Sequence, residues 1–317
     1  MGVAPLNGVQ GAMRSNHSHV AGVLSRVTAP QCLVLCGLLA AASAEAAEER
    51  PLPDVQTFVN QARSRLQRDD VRQRDYTYVE TQHRITLDGS GRSKRVAVKV
   101  VESYPGFPGE DRWERVIEED GRPIPTAELQ KKDAERQKKA DHYAVKLAAA
   151  TDADRAKAAR ELERDQRERD DAVDDVFSVY DIALLGREVV SGHDTIVLSL
   201  SPRPGARTKT RAGKYLRDFK GRAWVSESDF ELVKLEVEAI QNVSIAMGLL
   251  ARVNKGTTAS FERRKIDGEV WLPARAQYRL SGRLLLFKRL REAATTEFSN
   301  YRKFTVDTAT TIAEPLR

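Results

Sequence analysis

Apolar and polar residues alternate with a two-residue period over most of the chain. Val233, Leu235, Val237 and Ala239 alternate with Lys234, Glu236 and Glu238. Ile196, Leu198 and Leu200 are interleaved with Val197 and Ser199, and Val270, Leu272, Ala274, Ala276, Tyr278 and Leu280 with Trp271, Arg275, Gln277 and Arg279. Successive side chains of a strand face opposite ways, so each run predicts a half-buried strand with one apolar face. Turn signals separate the runs. Asp88-Gly-Ser-Gly91 divides Tyr76–Leu87 from Lys94–Tyr104, Pro105-Gly-Phe-Pro-Gly109 leads into Arg112–Glu118, and Ser191-Gly-His-Asp194 divides Val179–Val190 from Thr195–Ser201. Gly221–Ser226, Glu231–Ile240, Thr258–Ile266, Val270–Gly282 and Ala294–Val306 continue the series across Ser228-Asp229 and Asp267-Gly268. The pattern predicts about ten strands in one meandering, mainly antiparallel sheet, whose apolar face something must cover.

Two segments depart from the alternation. Asp54 precedes Val55, Phe58, Val59, Ala62 and Leu66, the cap and single stripe of an amphipathic helix. Thr126 to Asp175 is dominated by charged residues of both signs. It predicts two helices broken near Thr151-Asp152, with Asp152 as the second cap and only Leu129, Tyr143, Leu147 and Leu162 as an apolar seam. No heptad is sustained, so the segment reads as a solvated helical insertion rather than a coiled coil.

Residues 1–44 read as a cleaved signal peptide. Arg14 and Arg26 precede the short apolar run from Cys32 to Ala40, and Ala42-Ser43-Ala44 supplies small residues for cleavage. The run is shorter than the ~20 residues a membrane span needs. Cys32 and Cys36 both lie in it, so the mature chain from residue 45 has no cysteine and hence no disulfide or thiolate chemistry, and Leu35 before Cys36 argues against lipidation. The full chain of 317 residues carries a net charge of +6. Losing two arginines and no acids with the leader leaves +4, spread among many charges of both signs. A nucleic-acid binder would concentrate its basic face and interleave aromatics, so that class is excluded.

The helix followed by a strand meander, the run Gly221-Arg-Ala-Trp-Val-Ser226 and the turn before Glu231-Leu-Val-Lys-Leu-Glu-Val237 resemble the lipoprotein-carrier superfamily of periplasmic LolA-type carriers and outer-membrane LolB-type receptors. Phe261-Glu-Arg-Arg-Lys-Ile-Asp-Gly-Glu-Val-Trp-Leu-Pro273 is similar to the strand, Asp-Gly turn and Leu-Pro strand that recur in outer-membrane lipoprotein-sorting proteins. The resemblance spans Pro53 to Val306, apart from the charged insertion. It implies an incomplete barrel whose concave apolar face holds acyl chains beneath covering helices. The expected fold is therefore mainly β with helices: a curved antiparallel sheet, or open half-barrel, wrapped on an N-terminal helix. Residues 45–317 are expected to form a single domain with the helical insertion at 126–175.

No catalytic motif competes with that reading. A G-x-S-x-G elbow and a phosphate-cradling glycine loop are missing, and the mature histidines His83, His142 and His193 lack metal-ligand spacing. His83 reads as a structural histidine on a strand. The expected protein is non-enzymatic, has no cofactor or metal, and is exported to the periplasm, where lipid or lipoprotein acyl chains lie against Leu198, Leu200, Val233, Leu235, Val237, Leu272 and Tyr278. A basic segment with Arg203, Arg207, Lys209 and Arg211 offers contact with lipid headgroups or an acidic partner, and so leaves peripheral membrane contact open. Val243–Val253 and Leu284–Phe287, the most apolar runs, read as core strand or as a membrane-touching edge. The alternative function is an envelope interaction or sensor protein that binds a polypeptide through the half-barrel and the charged helices.

Overall fold

Asp54 caps the first helix, accepting hydrogen bonds from the Thr57 amide at 2.9 Å and the Thr57 hydroxyl at 2.7 Å. The computed structural model describes residues 50–68, 73, 75–107, 111–245, 251–284 and 288–303, so the expected leader and the end of the last expected strand lie outside the described residues. Helix α1 (Val55–Arg68) buries Phe58, Val59 and Ala62 along the stripe its sequence sets. A hairpin follows, β1 (Tyr76–Leu87) and β2 (Ser93–Tyr104), then β3 (Trp113–Glu119) and the two-residue β4 (Arg122–Pro123). The insertion forms α2 (Thr126–Ala148) and α3 (Asp152–Val179). The chain then returns to strands: β5 (Tyr180–Val190), β6 (His193–Pro202), a 3-10 turn (Gly213–Asp218), β7 (Phe219–Ser226), β8 (Leu232–Ala239), β9 (Val243–Ile245), β10 (Ala251–Val253), β11 (Thr258–Ile266), β12 (Val270–Leu284) and β13 (Lys288–Lys303).

The thirteen described strands form one unclosed, curved sheet in the order β4-β3-β2-β1-β13-β12-β11-β8-β7-β6-β5, with β10 pairing with the far end of β12 and β9 pairing with β10. Every pairing is antiparallel. Tight turns hold the register: Ser191-Gly192 and Asp267-Gly268 both have two consecutive positive φ angles, the geometry that matches the right-handed twist of hairpin strands. Register shifts at Thr77/Val79, Leu184/Gly186 and Glu262/Arg263 are bulges that bend the strands and increase the local twist.

Several boundaries differ from those the sequence suggests. Thr151, not Asp152, caps α3. Its hydroxyl accepts from the Asp154 amide at 3.2 Å while the Asp154 carboxylate accepts from the Thr151 amide at 3.0 Å. This reciprocal box satisfies two orphan backbone donors, which a carboxylate one residue later cannot do. The helix runs through Val179, so β5 starts at Tyr180. The run 243–253 is two short strands, and residues 246–250 and 285–287 of the apolar runs lie outside the described residues. His83 is exposed rather than packed.

The core lies between the sheet and its helices. Phe58 and Ala62 of α1 and Val179 of α3 pack with Ile196, Leu198, Leu200, Ala223 and Val225 of β6 and β7. A smaller cluster joins Tyr76, Val270 and Leu272. Ions tie α1 down as well: Arg65 meets Glu231 at 2.8 Å, and Arg263, 3 % exposed, meets Glu231 at 3.4 Å and the Trp271 carbonyl at 2.7 Å.

Helix α2 buries no residue, and Leu147 and Leu162 are exposed. The insertion is nevertheless docked at both ends. Asp133 and Arg136 reach β2 and β3, with the Arg136 guanidinium 4.4 Å from the Trp113 ring centre, and Tyr143 stacks on Phe107 at 5.0 Å. At the other end Asp174 and Asp175 hold α1 and the basic loop. Replacing only residues 144–156 by a short Gly/Ser turn should therefore change the urea-derived stability by about 0.5 kcal/mol or less. Replacing all of 126–175 should cost several-fold more, and equal losses from both replacements would contradict this division.

Candidate functional site

Strand alternation and register divide the sheet into rows of side chains that share a face. On the helix-covered face one row runs Leu198–Ala223–Leu235–Phe261–Ala276–Thr296 and the next runs Leu200–Gly221–Val237–Ala259–Tyr278–Ala294. The helices pack over the first strands of these rows. Leu198 and Leu200 are 3 % and 7 % exposed, inside the core with Phe58, and Leu235 packs half-buried at its margin. Val233 and Leu272 are fully buried, the latter in the cluster with Tyr76. Val237 and Tyr278 are half-buried further along, beside Phe261, Ala276 and Ala294 and the exposed Ala259. The residues expected to line one concavity thus divide between a packed core and an open apolar strip across β8, β11, β12 and β13.

The strip ends on polar groups. The Tyr278 hydroxyl donates to the Glu292 carboxylate, which also lies 3.4 Å from Arg84. Burial, then the adjacent carboxylate, raises the Tyr278 pKa, so the phenol stays a hydrogen-bond donor at neutral pH. Further along, Tyr78 sits edge-on to Phe298 at 5.4 Å, and the Arg112 guanidinium lies 4.3 Å from the Tyr78 ring centre. Burial raises the pKa of the neighbouring Glu80. Sequence alternation marks Phe261, Ala259 and Arg84 as strand residues, whereas Glu292 precedes the expected strand Ala294–Val306 and falls within β13 (Lys288–Lys303). Only register brings them beside Val237 and Tyr278.

The opposite face is polar. A groove of about 670 Å³ crosses β7, β8, β11, β12 and β13. Its lining includes the row Lys220, Glu238, Thr258, Arg279, Ala293 and the row Arg222, Glu236, Ser260, Gln277, Thr295, but not Leu235, Phe261 or Ala276, which places it on this polar face. Lys220 meets Glu238 at 3.1 Å and Arg222 meets Glu236 at 3.7 Å along its walls. Between those two rows its floor is the strand backbone at Gly221, Val237, Ala259, Tyr278 and Ala294, whose side chains project to the other face. Among the described residues no cluster of His, Cys, Asp and Glu could hold a metal ion.

The basic segment is partly neutralised within the chain. Arg203 pairs with Asp181 at 2.5 Å, and Lys209 pairs with Asp171 at 2.9 Å and Asp174 at 2.8 Å. Arg207 and Arg211 are exposed. Asp175, 1 % exposed, anchors the segment by accepting from the Lys209 amide at 2.6 Å and from the Thr210 amide and hydroxyl at 2.9 and 2.6 Å. A Cβ on Gly213 would come within 2.1 Å of that carboxylate, so this close approach requires glycine.

No protein-family model matches the chain. No curated protein matches it either. Among solved structures, the chain is similar to a LolA superfamily protein from Nitrosomonas europaea at 13 % identity, with 80 % of this chain and 94 % of that one covered and a TM-score of 0.32. It is also similar to an outer membrane lipoprotein-sorting protein domain from Vibrio parahaemolyticus at 11 % identity, covering 80 % and 94 %, with a TM-score of 0.33. A third similar structure, the MucA/MucB complex from Pseudomonas aeruginosa, matches at 11 % identity over 84 % and 99 %, with a TM-score of 0.22.

The turn between β7 and β8 carries an acid-sensitive contact. Asp229 accepts from Lys265 at 2.8 Å and from the Trp271 indole at 3.0 Å. Burial raises its pKa, but these hydrogen bonds outweigh burial and bring it from 3.8 down to about 2. A depressed folded-state pKa contributes stability above the unfolded value, and that stability is lost as pH falls from about 4 towards 2. After allowance for solvent screening at this partly exposed pair, the loss should be about 1 kcal/mol. In acid titrations followed by urea unfolding, Asp229→Asn should flatten that part of the profile, and an unchanged slope would count against the contact.

Proposed function

We propose that this chain is a non-enzymatic, exported envelope protein that binds a lipid moiety or lipoprotein acyl chains as a carrier or receptor. The observation that carries the reading is the apolar strip of Leu235, Val237, Phe261 and Tyr278, which continues the helix-covered face beyond the packed core and stays half-exposed. An acyl chain laid along it removes methylenes from water at about 0.8 kcal/mol each, which gives affinity without reactive groups. The segments Gly221–Val237 and Phe261–Pro273, which resemble lipoprotein carriers, support the same reading, because they run through β8, β11 and β12 of the strip.

Mass spectrometry of organic extracts from the purified mature protein tests the proposal. Co-purifying acyl lipid, displaced by a fluorescent fatty-acid probe, is the expected result. An empty protein that takes up no probe would defeat it. N-terminal analysis of exported material should begin within Glu45–Glu48, and an intact leader on cytoplasmic protein would remove the envelope part of the reading.

A second reading, a polypeptide-binding envelope protein, has its own observation. Strand β5 is a long sheet edge, and Leu185 and Val189 on it are 56 % and 70 % exposed. An extended peptide can add to such an edge through main-chain hydrogen bonds. A stable protein partner lost on Val189→Lys, with no lipid in the extract, would favour it.

A further inference from the structure

The polar face carries two contrasting rows. Across β8, β11, β12 and β13, Lys234, Glu262, Arg275 and Glu297 stand directly opposite one another with alternating sign. Near the other end of β12, Arg252, Arg283 and Arg289 stand directly opposite one another across β10, β12 and β13, with no change of sign. Opposed residues hold their Cβ atoms roughly 5 Å apart, where like charges repel and destabilise a sheet.

The arginine row is not compensated locally. Arg283 and Arg289 are exposed and Arg252 is half-buried. None of these three, nor the exposed Arg279 on the same face, has an ion-pair partner among the described residues. Arg291, opposite Ser281, also points this way and donates to the Gly89 carbonyl. Lys94 is exposed at the start of β2, at the same end of the sheet, whereas Arg95 shares the row of Thr86 and Glu292 on the opposite face. The acids here are engaged: Asp88 lies 3.4 Å from Arg92, and Glu292 lies on the opposite face with Arg84 and Tyr278. Val96, 54 % exposed, lies in the row of Arg279, three strands along it on β2.

The geometry points to a docking surface for an anionic phospholipid bilayer, formed by Arg252, Arg283 and Arg289 with Arg279 and Arg291. Guanidinium groups pair with phosphate oxygens through two parallel hydrogen bonds. A row spread over three strands, roughly 10 Å at 4.8 Å per strand, presents several such forks side by side. That suits a plane of headgroups, whereas one free phosphate would need convergent donors. Anionic leaflets attract clusters of this size and relieve their mutual repulsion. The surface lies on the face opposite the apolar strip, and the proposal holds whatever the strip binds.

Co-sedimentation with vesicles tests it, comparing pure phosphatidylcholine with phosphatidylcholine containing about one-third phosphatidylglycerol. The mature protein should bind the anionic vesicles and not the neutral ones, with affinity falling as salt rises. Arg283→Gln with Arg289→Gln should weaken binding roughly 25-fold, about 5-fold per charge. Arg160→Gln with Arg164→Gln in α3, an equal change in net charge, should leave it within about 2-fold. Removing like charges should leave the melting temperature equal or higher, so lost binding cannot be ascribed to unfolding. Equal binding to both vesicle types, equal loss in the two double variants, or saturable binding of inorganic phosphate without vesicle preference would each overturn the bilayer assignment.

Discussion

Arg115→Ala should lower the unfolding free energy by about 3–5 kcal/mol, a large share of the roughly 5–15 kcal/mol that holds a domain together. The Arg115 guanidinium is 7 % exposed and meets Glu102, whose side chain is 0 % exposed, at 2.9 Å. On its other side it pairs with both carboxylate oxygens of Asp133, at 2.8 and 2.9 Å. Burial alone would lower the Arg115 pKa, but its two carboxylate partners outweigh burial and raise it. The Tyr104 hydroxyl completes the cluster by donating to Glu102 at 3.0 Å. Burial, then the adjacent carboxylate, keeps that phenol protonated well above its ordinary range. Truncating Arg115 leaves the buried Glu102 charge without this cation, which is why the cost exceeds that of a surface pair. Asp133→Ala should cost less, about 1 kcal/mol, because Asp133 is partly solvated. Arg115→Met combined with Glu102→Leu should recover much of the loss, since apolar groups of similar volume can replace a buried ion pair. Urea midpoints of the variants measure all of this. A small loss for Arg115→Ala would mean that water already reaches Glu102.

Leu198→Asn should also unfold readily, losing about 3 kcal/mol or more, whereas Val237→Asn should cost about 1 kcal/mol or less. Both are apolar residues in the middle of alternating strands, and sequence alone does not separate them. Leu198 is 3 % exposed beneath Phe58 and Ala62, so an amide there finds no water. Val237 stands half-exposed, where water can satisfy the substituted amide. The functional readout should move the other way. Fatty-acid probe uptake should fall for Val237→Asn at nearly unchanged urea midpoint, while folded Leu198→Asn should keep it. If Val237→Asn loses stability and the wild type takes up no probe, the strip is ordinary core and the edge-strand reading gains.

The sheet was legible in the sequence because period-two alternation and Gly-containing turns are local properties. Thr258–Ile266 is a strand with the same limits in both, and Asp54 caps α1 as its spacing requires. The charged insertion was legible as helix for the same reason. Its attachments were not. Asp133 and Asp175 look like any other acid in a run of acids, and only tertiary structure sets one against Arg115 and the other against the Thr210 and Lys209 amides. Nor could alternation say which apolar residues a helix covers: Leu198 and Val237 have the same local pattern and different neighbours.

By itself, the sequence determined the strand series, the turns, the first helix, the helical insertion and the apolar face, all of which depend on contacts within a few residues. The tertiary structure decided strand order, the division of the apolar face into core and open strip, and the alignment of Arg252, Arg283 and Arg289. Those three arginines occupy separate strands, and their opposition is a matter of register. Register sums hydrogen-bond ladders, bulges and burial over whole strands, so no window of sequence contains it.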